Sequence, residues 1–158
     1  MAAYREPKPS TIAVVTLPGT ARAVTVVRHW AALVLETDGW TEVDDTLLVV
    51  TELAANAVRH TASGRPGGRM EVVLIGEADG LVRVEVADEG AATIPTVGRA
   101  DWDGLGGRGL RLVSTLAAAW GARLAGRGRT VWALMRLPPA EPVARPADDP
   151  CGEHAESH

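Results

Sequence analysis

The sequence predicts an α+β fold, a two-layer α/β sandwich whose mixed, mostly antiparallel sheet carries its helices on one face. Three observations lead there. The β-branched runs are joined by short turns, so the strands pair chiefly as hairpins. The helical periodicities come as an adjacent pair near the start and a single helix later, without the regular strand-helix alternation of a parallel sheet. The chain has 158 residues, 46% apolar and 23% charged, enough for one hydrophobic core and too few for two comfortable ones.

Residues 1–10 are polar and carry Pro7 and Pro9, which marks a flexible lead-in to a domain spanning residues 11–138. Thr11 to Leu17, TIAVVTL, is the first strand, broken by Pro18 and Gly19. Thr20 then caps a helix that runs to Thr37 and ends at Asp38 and Gly39. A second helix is expected from Thr41 to Thr61, stopped by the glycine-rich SGRPGG. MEVVLIGE and LVRVEVAD form an antiparallel hairpin about the turn signal Ala78-Asp79-Gly80.

From Glu89 the stretch EGAATIPTVGRADWDGLGG has little periodicity, and its length is that of a lid or binding loop. GLRLVSTLAAAW is expected as the third helix, from Gly109 to Trp120, followed by two closing strands in ARLAG and TVWALMRL. Residues 139–158 are proline-rich and charged and read as a disordered tail.

Composition excludes several functions. Twenty acidic and 16 basic side chains give a formal charge of -4 with no block of Lys or Arg, which argues against direct nucleic-acid binding. The single Cys151 has no partner for a disulfide and no neighbours at metal-ligand spacing, so a reducing compartment fits. No secretory leader is apparent and no segment reaches the ~18 apolar residues of a membrane span. A soluble cytoplasmic protein with no membrane contact is expected.

Chemistry enters at TELAANAVRHTASG, where Glu52, Asn56 and His60 recur every fourth residue. At ~100° per residue, Val43, Leu47, Val50, Ala54 and Ala57 share a narrow arc that faces the sheet. Glu52 and Asn56 lie on the opposite side among Leu48, Val49, Leu53 and Ala55, too apolar a surface to be left wholly to water. A carboxylate and an amide in a partly dry place need partners. Spacing alone leaves two readings open: polar residues near the open end of a packed helix, or groups satisfied by a ligand, a metal or a protein donor. His60, in the last turn, is favoured there by the helix dipole and needs no further role.

Two other stretches carry candidates. In VADEG, Asp88 ends a β-branched strand and Gly90 follows; a carboxylate there is either a common turn or an acceptor for an exocyclic amine such as that of adenine. The loop ends in GLGGRGLRL, where Gly104, Gly106, Gly107 and Gly109 lead into a helix start. Such glycines admit a phosphate to the unpaired N–H groups of a helix N-terminus, or form a plain hinge. Neither a P-loop nor a dinucleotide fingerprint is present. Thr130, after GRGR, reads alone as a residue entering a strand.

In order, E-x-x-x-N-A-x-x-H on a helix, D-x-G after a strand, G-x-G-L opening a helix and G-x-G-x-T before the last strand resemble the GHKL (histidine kinase-like) superfamily of ATP-binding domains. ELAANAVRHT, VEVADEG, GGRGLRLV and GRTVWALMRLP are most similar to its anti-sigma factor serine kinase branch, over Thr11 to Pro138. The resemblance implies a Bergerat-type ATP-binding fold that uses ATP and Mg²⁺. It implies Asn56 as the Mg²⁺ ligand, Glu52 as general base, Asp88 on the adenine amine, Gly90 beside the ring and Thr130 supporting the aspartate or a bridging water. Gly107 and Gly109 would cradle the phosphates at the end of the lid. One departure stands out: Ala92 occupies the second glycine position of the family's D-x-G-x-G.

The function implied is a regulatory anti-sigma factor with serine/threonine kinase activity toward a small anti-sigma factor antagonist, binding a sigma factor and forming a homodimer. The alternative is a non-catalytic, ATP-dependent protein-binding module that regulates transcription. No phosphorylatable dimerisation helix precedes the domain, which argues against a sensor kinase.

Overall fold

A computed structural model of the chain describes residues 8–90, 108–126 and 128–138. The expected lid, with Ala92, Gly104, Gly106 and Gly107, lies outside the described residues, as do most of the lead-in and the tail. The elements in order are β1 (Ser10–Pro18), α1 (Ala21–Thr37), α2 (Asp44–His60), a single 3₁₀ turn (Ala62–Gly64), β2 (Arg69–Glu77), β3 (Leu81–Asp88), α3 (Gly109–Leu116), β4 (Ala119–Ala125) and β5 (Gly128–Arg136).

The five strands form one sheet in the order β1-β2-β3-β5-β4, and every neighbouring pair is antiparallel. The β2–β3 hairpin turns on Asp79 and Gly80, at φ 60° and 71°, the two left-handed residues that match the twist of paired strands. The β4–β5 hairpin folds back so that β5, the last strand, lies between β3 and β4. This return brings the end of β3 beside the start of β5, and Asp88 pairs with Arg129.

One face of the sheet is covered. Val72 and Leu74 of β2, Val82, Val84 and Val86 of β3, and Ala133 and Met135 of β5 form buried alternating rows. Against them pack Val27, Ala31 and Leu35 of α1 and Leu47, Val50, Ala54 and Ala57 of α2, each large side chain worth about 1.5–3 kcal/mol when removed from water. The helix face expected from periodicity is the buried one. α2 lies over β2, β3 and β5, with α1 on one side of it and α3 on the other.

The other sheet face is held by charge and an indole. Arg83 pairs with Glu77 at 2.6 Å and stacks 5.2 Å from the centre of the Trp132 ring. Arg123 makes two hydrogen bonds to Glu85, at 3.0 and 2.6 Å, and these hold its guanidinium pKa above the usual arginine value.

Two helix boundaries differ from expectation by three residues or more. α2 begins at Asp44, not Thr41, because Glu42 sits at φ +54°, a conformation that breaks a right-handed helix. The backbone N–H and the hydroxyl of Thr41 both donate to the Pro138 carbonyl, tying this segment to the end of β5. α3 ends at Leu116, four residues before Trp120. Ala118 N–H donates to Leu134 O, and Ala119 and Trp120 pair with Leu134 and Ala133 at the start of β4. Edge pairing overrides the helix propensity of the alanine run.

Candidate functional site

α2 carries a second, partly covered side. Val49, Leu53 and Ala55 are buried there while Leu48 is 40% exposed, and Glu52, Asn56 and His60 are half-buried. The cover comes from α3, whose first residue, Gly109, packs against Glu52. A Cβ placed on Gly109 would overlap Glu52 Oε2 and lie 3.4 Å from Glu52 Cδ and 3.7 Å from Asn56 Nδ2. Any side chain at this position would have to displace the Glu52 carboxylate. Beside this contact an open cleft of about 430 Å³ is lined by Glu52, Asn56, Arg59 and His60 of α2 and by Arg108, Gly109 and Leu112 at the start of α3.

A second cluster forms at the end of β3. Strand alternation continues the inward row of Val82, Val84 and Val86 to Asp88, whose side chain is 2% exposed. Asp88 Oδ1 accepts from the backbone N–H groups of Gly90, at 2.8 Å, and Arg129, at 3.2 Å. Its Oδ2 lies 3.4 Å from Arg129 Nε. Gly90, at φ +82°, turns the chain away from the strand.

The two clusters are tethered through the end of α2. The Thr61 hydroxyl donates to Ala57 O and accepts from Ser63 N–H. Ser63 Oγ then accepts from Glu89 N–H at 3.0 Å, while Ala62 N–H donates to Gly90 O at 2.6 Å. Thus Glu52, Asn56, His60 and Gly109 gather in the cleft, and Asp88 and Gly90 gather at the strand end. Thr130 is buried one residue beyond Arg129, paired with Ala87, in the row of Trp132 rather than that of Asp88. Gly107 lies outside the described residues.

Sequence reasoning passed over Arg59, Arg108, Ser63 and Arg129. Arg59, three residues after Asn56, was legible as sharing its helix side. Arg129 was not, because its place opposite Asp88 depends on a strand pairing 41 residues away in the chain.

The sequence model of the histidine kinase-like ATPase domain matches residues 17–135, a span that holds both clusters. The chain belongs to this family. Membership of the histidine kinase-like ATPases implies ATP binding. In fold, the domain is similar to a crystal structure of the RsbU and RsbW domains of Rv1364c from Mycobacterium tuberculosis, with a TM-score of 0.59 and 23% identity over 85% of this chain. The match covers only 33% of the chain in that structure. No curated protein matches the sequence. Among the described residues, no helix is long and apolar enough to cross a membrane.

Proposed function

We propose that this histidine kinase-like domain is a cytoplasmic Mg·ATP-dependent protein serine/threonine kinase of the anti-sigma factor type, acting on a small anti-sigma factor antagonist and binding a sigma factor. The observation that carries the reading is Glu52, a half-buried carboxylate backed by Gly109, one helical turn from the Asn56 amide and open to the cleft. A module that only grips ATP needs Asp88 and Gly90 but has no use for a carboxylate here, where desolvation costs.

The donor set suits magnesium. Among the described residues no three His, Cys, Asp or Glu side chains gather to hold a metal, so a cage built from protein carboxylates is not on offer. Mg²⁺ asks for less, one or two protein oxygens with waters and substrate phosphates completing its shell, and Asn56 Oδ1 is such an oxygen. Bound there, the metal would neutralise phosphate charge.

The chain's own groups do the rest. Asp88 accepts from the adenine amine, with Gly90 leaving room for the ring; Thr130, in the opposite row of β5, would act on the aspartate only through the strand. Gly109 and, beyond the described residues, Gly107 let backbone N–H groups approach the phosphates. Glu52 accepts the proton of the acceptor's serine or threonine hydroxyl as that oxygen bonds to the terminal phosphorus and ADP leaves. Positioning and charge neutralisation supply most of such a reaction, so this small set suffices.

The test incubates the chain and its Glu52→Ala variant with γ-labelled Mg·ATP and small anti-sigma antagonist proteins. Label on an acceptor serine or threonine with the parent chain, and none with a variant that still binds ATP, is the expected result. Unlabelled acceptors throughout would favour the non-catalytic binding module.

A further inference from the structure

We propose that the outer ridge of α2 before Glu52 docks the acceptor protein, with Leu48 as its apolar contact and Asp45 as the partner of a lysine or arginine near the acceptor hydroxyl. The inference rests on the kinase reading and names the chemistry the acceptor must present. At ~100° and ~1.5 Å per residue, Leu48 and Asp45 stand within ~40° of Glu52 on the helix, about 6 and 10 Å from it along the axis. Asp45, Leu48 and Glu52 therefore follow one another in a line. The cleft begins at Glu52, and neither Asp45 nor Leu48 lines it.

A single exposed leucine is ordinary on a protein surface; the setting of this one is not. Among the described residues five large apolar side chains are exposed, and Leu48, at 40%, is the one on the helix that carries Glu52. Val49 and Leu53 beside it are buried, so α2 packs without it. Charge supplies the second observation. From Trp30 to Val58 the chain has no Lys, Arg or His, while Glu36, Asp38, Glu42, Asp44 and Asp45 are all exposed before Leu48. Arg28 of α1 donates to the Thr51 hydroxyl at 3.3 Å, and among the described residues neither Asp44 nor Asp45 enters an ion pair. Beyond Glu52 the sign reverses, with Arg59 and Arg108 at the cleft. Glu52 thus sits where the ridge changes from anionic to cationic, and a polyanionic nucleotide is repelled from the anionic half. The acceptor hydroxyl reaches Glu52 across Leu48, from the side the nucleotide leaves open. A helix with the hydroxyl, an apolar side chain four residues away and a cation seven residues away presents this set on one face.

The experiment measures steady-state labelling of a panel of small anti-sigma antagonist proteins by the full chain, varying acceptor and Mg·ATP separately, for the parent, Leu48→Ser and Asp45→Asn. Both positions are exposed, so the variants should fold, and thermal unfolding is followed on the same preparations. Leu48→Ser is expected to raise KM for the acceptor at least about tenfold, the scale of one buried leucine. Asp45→Asn should raise it about threefold, the scale of an exposed ion pair, while KM for ATP holds in both. Added salt should raise the parent's acceptor KM and move that of Asp45→Asn less. Acceptor KM unchanged in both variants, or acceptor and ATP KM rising together, would overturn the docking ridge. A rise for Asp45→Asn that follows a loss of thermal stability, with the parent's salt dependence intact, would assign that aspartate to the dipole of α2 instead and overturn its part. A parent chain that labels no acceptor would remove the kinase reading itself, a result seen before any variant is compared.

Discussion

Gly109 sits so close to Glu52 that a Cβ on it would overlap the carboxylate Oε2, and only movement of that flexible end could admit one. The start of α3 therefore sets where Glu52 points. A methyl group at 109 pushes on the end of a flexible side chain and not on backbone, so Gly109→Ala should unfold near the parent's temperature and still bind ATP. Phosphoryl transfer should fall about a hundredfold, the scale for a base displaced by about 1 Å. Thermal unfolding, ATP titration and labelled transfer on one preparation check all three; parent-like transfer would remove Glu52 from the role of base.

Asp88→Asn keeps the size of the side chain and the oxygen that accepts from Gly90 and Arg129. It replaces Oδ2 by an NH₂ group facing Arg129 Nε, 3.4 Å away in the parent, so a donor meets a donor and the adenine amine loses its acceptor. ATP affinity should drop at least about tenfold. An inosine nucleotide offers a carbonyl where adenine has the amine, so the variant's preference should shift toward inosine triphosphate. Competition between the two nucleotides reads the shift, and an unchanged preference would separate Asp88 from the base.

How far the sequence reached follows from the range of the interactions. The core face of α2 and the β2–β3 hairpin were legible, because helix periodicity and a three-residue turn are local. The Thr20 cap was legible for the same reason, its Oγ1 accepting from Ala23 N–H at 3.2 Å. The starts and stops of α2 and α3 were not, because Thr41 answers to Pro138 and Ala118 to Leu134, both far along the chain. In the candidate site, motif spacing marked Glu52, Asn56, Asp88 and Gly109. What covers Glu52, and what holds Asp88, depends on α3 and β5 arriving from elsewhere in the chain.

The junction from Thr61 to Gly68 is a place where backbones meet without side chains. A Cβ on Gly64 would strike Val58 O, one on Gly19 would strike Ser63 O, and one on Gly68 would strike both Ala62 O and Ser63 O. Backbone cannot swing aside, so Gly64→Ala should cost roughly 2 kcal/mol, within the range for overpacking. It should also disturb the bonds from Ala62 N–H to Gly90 O and from Glu89 N–H to Ser63 Oγ, weakening ATP binding in step with stability. Urea unfolding beside ATP titration tests the link, and a stable variant with parent-like binding would show that the junction yields.

Thr46 is a different kind of residue, fully buried in the first turns of α2, with its hydroxyl unpartnered among the described residues. A buried hydroxyl without a hydrogen bond gives up its water and gains nothing in exchange. Valine has nearly the same shape and fits an amphipathic helix whose apolar contacts already set its orientation. The two residues have nearly equal helix propensity, so the removed desolvation decides the sign. Thr46→Val should therefore raise the urea midpoint, with a gain of about 1 kcal/mol and an unchanged denaturant slope. ATP binding should not move, since Thr46 does not line the cleft. A loss of stability would mean that the hydroxyl has a partner, such as a buried water, and high-resolution density at Thr46 Oγ1 would then identify it.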